Sequence, residues 1–249
     1  MRSTLDRDAL VKLIDFLSWN EVINAYAISS LLHPSEYDVL VDLDESSVGI
    51  VSIYKLTKAL TVRGNFLGLT RLLPRVARLK GYWCFAVLPH DMFVVRKFVN
   101  VCGVEEDYLM TVNKRCFKSG LTRRVEVLTE DHLHQIPLQD DVPYSKREID
   151  YLIRKGRVYG SFTEEGELAS LAFVQDETMN VVLIGGVYTK SKFRGQGYAK
   201  SCLSKMINCL LLKYRIVGLT VRVSNKPAIN LYRSLGFNVH AKFLGFEIT

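Results

Sequence analysis

The chain has 249 residues, 48% of them hydrophobic and 24% charged, the composition of a folded globular protein with room for one large or two ordinary domains. Its formal charge of +7 favours anionic partners without requiring nucleic acid, because no Lys/Arg-rich run carries interleaved aromatics. No apolar run approaches the ~18 residues that span a bilayer, and the acidic opening stretch lacks the apolar core of a signal peptide, so a cytoplasmic protein without a membrane partner is expected.

In chain order, residues 5–32 show helical periodicity (Leu10, Leu13, Ile14, Leu17) and predict one or two opening helices. Tyr37–Leu43, Val48–Tyr54 and Ala59–Phe66 read as strands. Leu69, Leu72, Leu73, Val76 and Leu79 lie at helical spacing opposite Arg71, Arg75, Arg78 and Lys80, which reads as an amphipathic helix with a solvated basic face. A short apolar run at Trp83–Leu88, a helix over about Asp91–Val101 and a strand at Asp107–Phe117 complete the first half. Lys118-Ser119-Gly120 is a plausible boundary, dividing the chain into residues 1–119 and 120–249.

The second half opens with a strand at Leu121–Leu128 and a helix start after Thr129. The loop 136–143 leads to a helix at Ser145–Arg154, followed by two strands around Glu164-Glu165-Gly166-Glu167. A strand at Val181–Thr189, a helix from Tyr198 to about Lys213, a strand at 216–223, a helix at 227–235 and two closing extended runs finish it. The cysteines Cys84, Cys102, Cys116, Cys202 and Cys209 include no Cys-x-x-Cys pair and do not suggest a disulfide framework. Cys202 and Cys209 read as core residues, and His132-x-His134 lacks the ligands to complete a metal site.

Two segments carry chemistry. Gly185-Gly186-Val187-Tyr188-Thr189 runs into a loop, Arg194-Gly195-Gln196-Gly197, and then a helix opening at Tyr198-Ala199. Gly195 and Gly197 allow a tight turn and close approach, and the helix start offers unpaired N–H groups and a positive dipole end, so an anion such as a phosphate belongs there. Gly185-Gly186 permits a bulge in the strand before it. Downstream, Asn225, Ala228, Leu231, Tyr232, Leu235, Gly236 and Phe237 follow another strand.

With Arg194, Gly197 and Ala199 in one loop and Asn225 to Phe237 in the other, the chain resembles the GNAT family of acyl-CoA-dependent N-acetyltransferases over roughly residues 121–249. The resemblance implies an α/β (α+β) fold, a mixed, mostly antiparallel sheet flanked by helices. The first half repeats that order in outline as a degenerate GNAT-like half: Leu67-Gly68-Leu69-Thr70-Arg71 lacks the phosphate-loop spacing, so no cofactor is expected there. The two-part plan is similar to glycine N-acyltransferase and its prokaryotic relatives.

The resemblance further implies acetyl-CoA as co-substrate and a primary amine as acceptor, in a monomer or homodimer. The pyrophosphate would meet the backbone of Arg194, Gly195, Gln196, Gly197, Tyr198 and Ala199. The pantetheine arm would pair with Val187, Tyr188 and Thr189, and Asn225 would serve as a cofactor contact or a helix cap. Tyr232 would be the general acid to the departing thiolate, since a phenol stays protonated at neutral pH. Glu126, Glu177, Asp140 and Asp141 are available carboxylates, but none is aimed at the amine by its spacing; Asp140-Asp141 would border the acceptor. Transfer of a longer acyl group, or of acetyl to a non-amine acceptor, is the rival within enzymes; a non-catalytic acyl-CoA-binding module and a basic nucleic-acid-binding protein are the alternatives from other classes.

Overall fold

A computed structural model describes residues 7–137, 142 and 144–249. They form two compact units that no single cut separates. The first comprises Met1–Leu109 with Val221–Ser224 and Val239–Thr249, and the second comprises Met110–Thr220 with Asn225–Asn238. The expected division after Ser119 therefore differs from these units at both ends, because the closing strand packs with the first of them.

In the first unit, helices α1 (Arg7–Ser18) and α2 (Ala25–Leu32) precede the strands β1 (Tyr37–Leu43), β2 (Val48–Tyr54) and β3 (Ala59–Gly64). The three strands form an antiparallel meander with Tyr37 opposite Tyr54 and Tyr54 opposite Ala59. Helix α3 (Phe66–Val76) follows, then β4 (Trp83–Val87), which runs parallel to β3 through only two rungs, Ala59–Trp83 and Leu60–Cys84. Helix α4 (Met92–Phe98) and strand β5 (Val101–Asn113) come next. Strand β3 stops short of the expected Phe66 because Asn65 caps α3, its side chain accepting the Gly68 N–H at 2.9 Å. Leu69, Leu72, Leu73 and Val76 of α3 are buried against Val51, Leu60, Val62 and Val95, and Arg71 faces water, ion-paired to Asp44.

The closing strand β11 (Asn238–Ile248) lies antiparallel to β4. It is one strand where two extended runs are expected, for a local reason. The register shifts between Leu244 and Phe246, and a Cβ on Gly245 would stand 2.9 Å from the Trp83 ring, so the glycine admits a tryptophan and the strand continues past it.

In the second unit, β6 (Arg124–Val127), β7 (Val158–Phe162), β8 (Leu168–Glu177) and β9 (Val181–Thr189) are successively antiparallel, and β10 (Ile216–Arg222) lies parallel to β9. After Thr129 the chain makes a 3-10 turn, Glu130–Gln135, in which His132 Nδ1 bonds the Thr129 N–H at 3.0 Å. Helix α5 (Lys146–Arg154) starts where Ser145 Oγ accepts the Glu148 N–H at 3.2 Å, and it buries Ile149, Leu152 and Ile153 against Val158, Leu171 and Phe173. Burial of each such side chain is worth about 1.5–3 kcal/mol at the upper bound. Helix α6 (Tyr198–Leu210) follows β9, and α7 (Lys226–Ser234) follows β10.

Candidate active site

The geometry of β9 is set by its two glycines. Phe173 of β8 pairs with Gly185, while Leu171 pairs with Tyr188, so β9 carries one extra residue between those rungs. Gly186 takes the left-handed φ of +58°, and a Cβ on it would overlap the Phe173 ring; only glycine satisfies both conditions. On its other side, β9 is bonded to β10 through Val181, Val182 and Leu183 alone. Beyond Leu183 the strands part, and the main chain of Val187, Tyr188 and Thr189 faces an open edge.

The loop after β9 points its amides the same way. Gly195 and Gly197 have φ of +76° and +83°, and a Cβ on either would meet no atom within 4 Å. Backbone conformation therefore selects glycine here, and the space beside it is free. Gly197 is the N-cap of α6 and has no side chain to bond the first-turn amides. The first internal bond of the helix is Ser201 N–H to Gly197 O at 3.0 Å, which leaves the N–H groups of Tyr198, Ala199 and Lys200 for an outside acceptor. The Arg194 guanidinium is tied back by Nε to Thr189 O at 3.2 Å.

These parts meet in a cleft of about 790 Å³. Val187, Tyr188 and Thr189 form one wall, Arg194, Gly195, Gly197, Tyr198 and Ala199 the anion end, and Asn225 and Tyr232 the facing side. Gln196 is the one proposed site residue outside the lining, its amide donating to Lys192 O at 2.9 Å. Asn225 caps α7, its Oδ1 accepting the Ala228 N–H at 3.2 Å, and lines the cleft as well. Tyr232 is 6% exposed, and burial pushes its phenol up to about 12. Tyr198 packs its ring under the Arg123 guanidinium at 5.0 Å.

Ala228 and Leu231, one helical turn apart and adjacent to Tyr232, also line the cleft, as does Lys200. The first two were legible as one face of a helix; nothing in the sequence marks Lys200. Of the carboxylates considered as bases, Glu126 bonds Arg124 at 2.6 Å and Glu177 pairs with Arg157 at 3.6 Å; neither lines the cleft. Asp140 and Asp141 lie outside the described residues. The buried Glu148 was not anticipated: desolvation, with a smaller contribution from Asp176, pushes its carboxyl up to about 7. Cys202 is fully buried and Cys209 only half-buried. No group of metal ligands occurs among the described residues, and no helix among them is long and apolar enough to cross a membrane.

The corresponding place in the first unit is built differently. Asn65 fills the helix start, bonding the N–H groups of Gly68 at 2.9 Å and Val48 at 3.3 Å. A Cβ on Gly64 would stand 2.5 Å from Val48 O, so the backbone is packed where the second unit is open. The Arg63 side chain is buried beside it, donating to Asn24 Oδ1, Val62 O and Ile23 O at 3.2, 2.8 and 3.1 Å.

Residues 124–237 match the model of the Acetyltransferase (GNAT) family. No curated protein matches the sequence. Among solved structures, a GNAT-family protein from Novosphingobium aromaticivorans is similar with a TM-score of 0.64 at 19% identity, over 90% of this chain and 96% of its own. A GCN5-related N-acetyltransferase from Kribbella flavida gives 0.65 at 12%, over 91% and 95%. A tandem GNAT protein from the clavulanic acid biosynthesis pathway gives 0.63 at 11%, over 97% and 95%. At these identities the likeness is one of fold, a mixed α/β fold with a mostly antiparallel sheet flanked by helices.

Proposed function

We propose that the protein is an acyl-CoA-dependent N-acetyltransferase that moves acetyl from acetyl-CoA to a primary amine. The observation that carries this reading is the open main-chain edge of Val187–Thr189 followed, across the loop 190–197, by a helix start with uncapped amides. An extended arm ending in phosphates fits that pair of features, because the edge offers strand-like hydrogen bonds and the helix start offers anion-binding donors.

In this reading the amides of Tyr198, Ala199 and Lys200 hold the pyrophosphate, and the edge of β9 positions the arm. When bound, acetyl-CoA supplies the thioester: the amine nitrogen bonds to the acyl carbon, the C–S bond breaks, the sulfur leaves as thiolate and the nitrogen gives up one proton. A backbone N–H of β9 stabilises the developing oxyanion. Tyr232 serves the sulfur. With its phenol at about 12 it is protonated throughout the physiological range and donates to the thiolate. Complete transfer to a thiol at its reference value of ~8.5 would be uphill by roughly 5 kcal/mol. The burial that raises Tyr232 desolvates the thiolate too and narrows that gap. No base is assigned.

Calorimetric titration of CoA and acetyl-CoA into wild type and Gly197→Asp tests the reading. The variant puts a carboxylate where the phosphates are to rest, in space that no other atom occupies, and Gly197→Ala, which carries the same backbone strain at φ +83° without the charge, serves as the control. Micromolar binding by wild type and its loss in the variant are expected; folded wild type that binds neither compound would refute the proposal.

A further inference from the structure

The lining of the cleft on β9 ends at Val187, and what lies beyond it is aromatic. The Phe173 ring covers the Cα of Gly186, the next residue back along the strand. Phe173 is 3% exposed and is held from behind: Tyr144 meets it edge-on at 6.3 Å, and Tyr144 meets Tyr188 edge-on at 6.4 Å. Tyr144 is itself buried. The bulge that creates this arrangement holds Gly186 at φ +58° with the ring against it. These three rings form a fixed wall.

The direction of the site decides what meets that wall. Phosphates at the start of α6 and an arm running back along Thr189, Tyr188 and Val187 bring the thioester end to Gly186. We infer that Phe173, backed by Tyr144 and Tyr188, limits the donor to short acyl groups, and so acts as the chain-length-determining residue of the site. The inference rests on the function proposed above. An acetyl group ends at the ring, whereas each further methylene needs space that a close-packed interior yields only by displacing a buried side chain.

Binding of CoA, acetyl-CoA, butyryl-CoA and hexanoyl-CoA is to be compared by calorimetry in the full-length wild type, in Phe173→Leu and in Phe173→Met. The methionine variant keeps an apolar side chain of comparable reach while replacing the rigid ring with a thinner, flexible one, and thermal melting shows whether each variant is folded. Wild type should bind CoA and acetyl-CoA with similar Kd, and hexanoyl-CoA about tenfold more weakly or worse. In a folded variant the hexanoyl penalty should shrink to about threefold or less, with the Kd for CoA unchanged, since the added methylenes then enter an apolar space. Wild type that binds hexanoyl-CoA as tightly as acetyl-CoA would overturn the wall while leaving the CoA site standing, as would a penalty that persists in a folded variant. Wild type that binds no CoA would overturn the functional reading and the wall together.

Discussion

The side chain of Leu183 rests on the Cα of Gly218, where a Cβ would stand 2.8 Å from Leu183 Cδ2, and this pair is the last rung joining β9 to β10. The strands part immediately beyond it, so the opening of the cleft starts from one close contact. Gly218→Ala is expected to force Leu183 aside and lower stability by roughly 1–3 kcal/mol, the cost of overpacking a filled site. Urea denaturation measures that loss, and an unchanged midpoint would show that the rung tolerates a methyl group.

Alkaline stability follows from Tyr232. Its folded value of about 12 exceeds the reference of 10, so the folded state keeps a proton that the unfolded chain releases. The contribution is complete below pH 10 and lost as pH rises toward 12, at about 1.4 kcal/mol per pH unit for one proton. Cys202, pushed up to about 12 by burial, adds a second such loss beginning at its reference value of 9. Tyr232→Phe should remove one proton's worth of slope between pH 10 and 12. The same variant should lower kcat at neutral pH by tenfold or more while leaving CoA affinity nearly constant.

Glu148 works at the opposite end of the scale. Burial raises its carboxyl to about 7 from 4.5, so the folded state is favoured while the group is protonated. That stability is complete below pH 4.5 and is lost as pH rises through 7, for a total on the order of 3 kcal/mol. Glu148→Gln keeps the shape and hydrogen bonding of the acid form. It should stabilise the protein at pH 8 and have little effect at pH 4.5; equal effects at both pH values would show that the carboxyl is not desolvated.

Asn65 closes in the first unit what Gly197 leaves open in the second. Asn65→Ala should cost ~1–2 kcal/mol, as for the loss of an N-cap, with the freed Val48 and Gly68 amides adding to it. Acetyl-CoA affinity should not change. A variant that lost CoA binding would place a ligand-dependent role in a helix start that bonds only to its own chain here.

Much of the candidate site was legible because it depends on residue types that few others can replace. Gly195 and Gly197 stand at positive φ, and Asn225 caps a helix, so local conformation writes itself into the sequence. Pairing is different. That β11 would join β4 follows from long-range partner choice, and periodicity reports which face a side chain takes, not which strand lies beside it. Strand β5 starts at Val101, six residues before its predicted start, because its opening residues are largely exposed and give weak alternation. Glu148 reads as an ordinary first-turn acid of a capped helix, and only the packing around α5 buries it. The contact of Phe173 with Gly186 depends on one extra residue in a register that no local pattern fixes.

The course of the last eleven residues bears on how this protein can be handled. Val239–Thr249 belongs to the first unit, although the family segment ends at residue 237. Expressing 120–249 as a standalone enzyme would produce a fragment whose final strand has left its partner, β4, behind, with Phe243, Phe246 and Ile248 stripped of their burial. Deleting that tail instead would expose the edge of β4 in a unit far from it in sequence. A protease that nicks the chain between the halves would leave both pieces incomplete, so neither half is a detachable module.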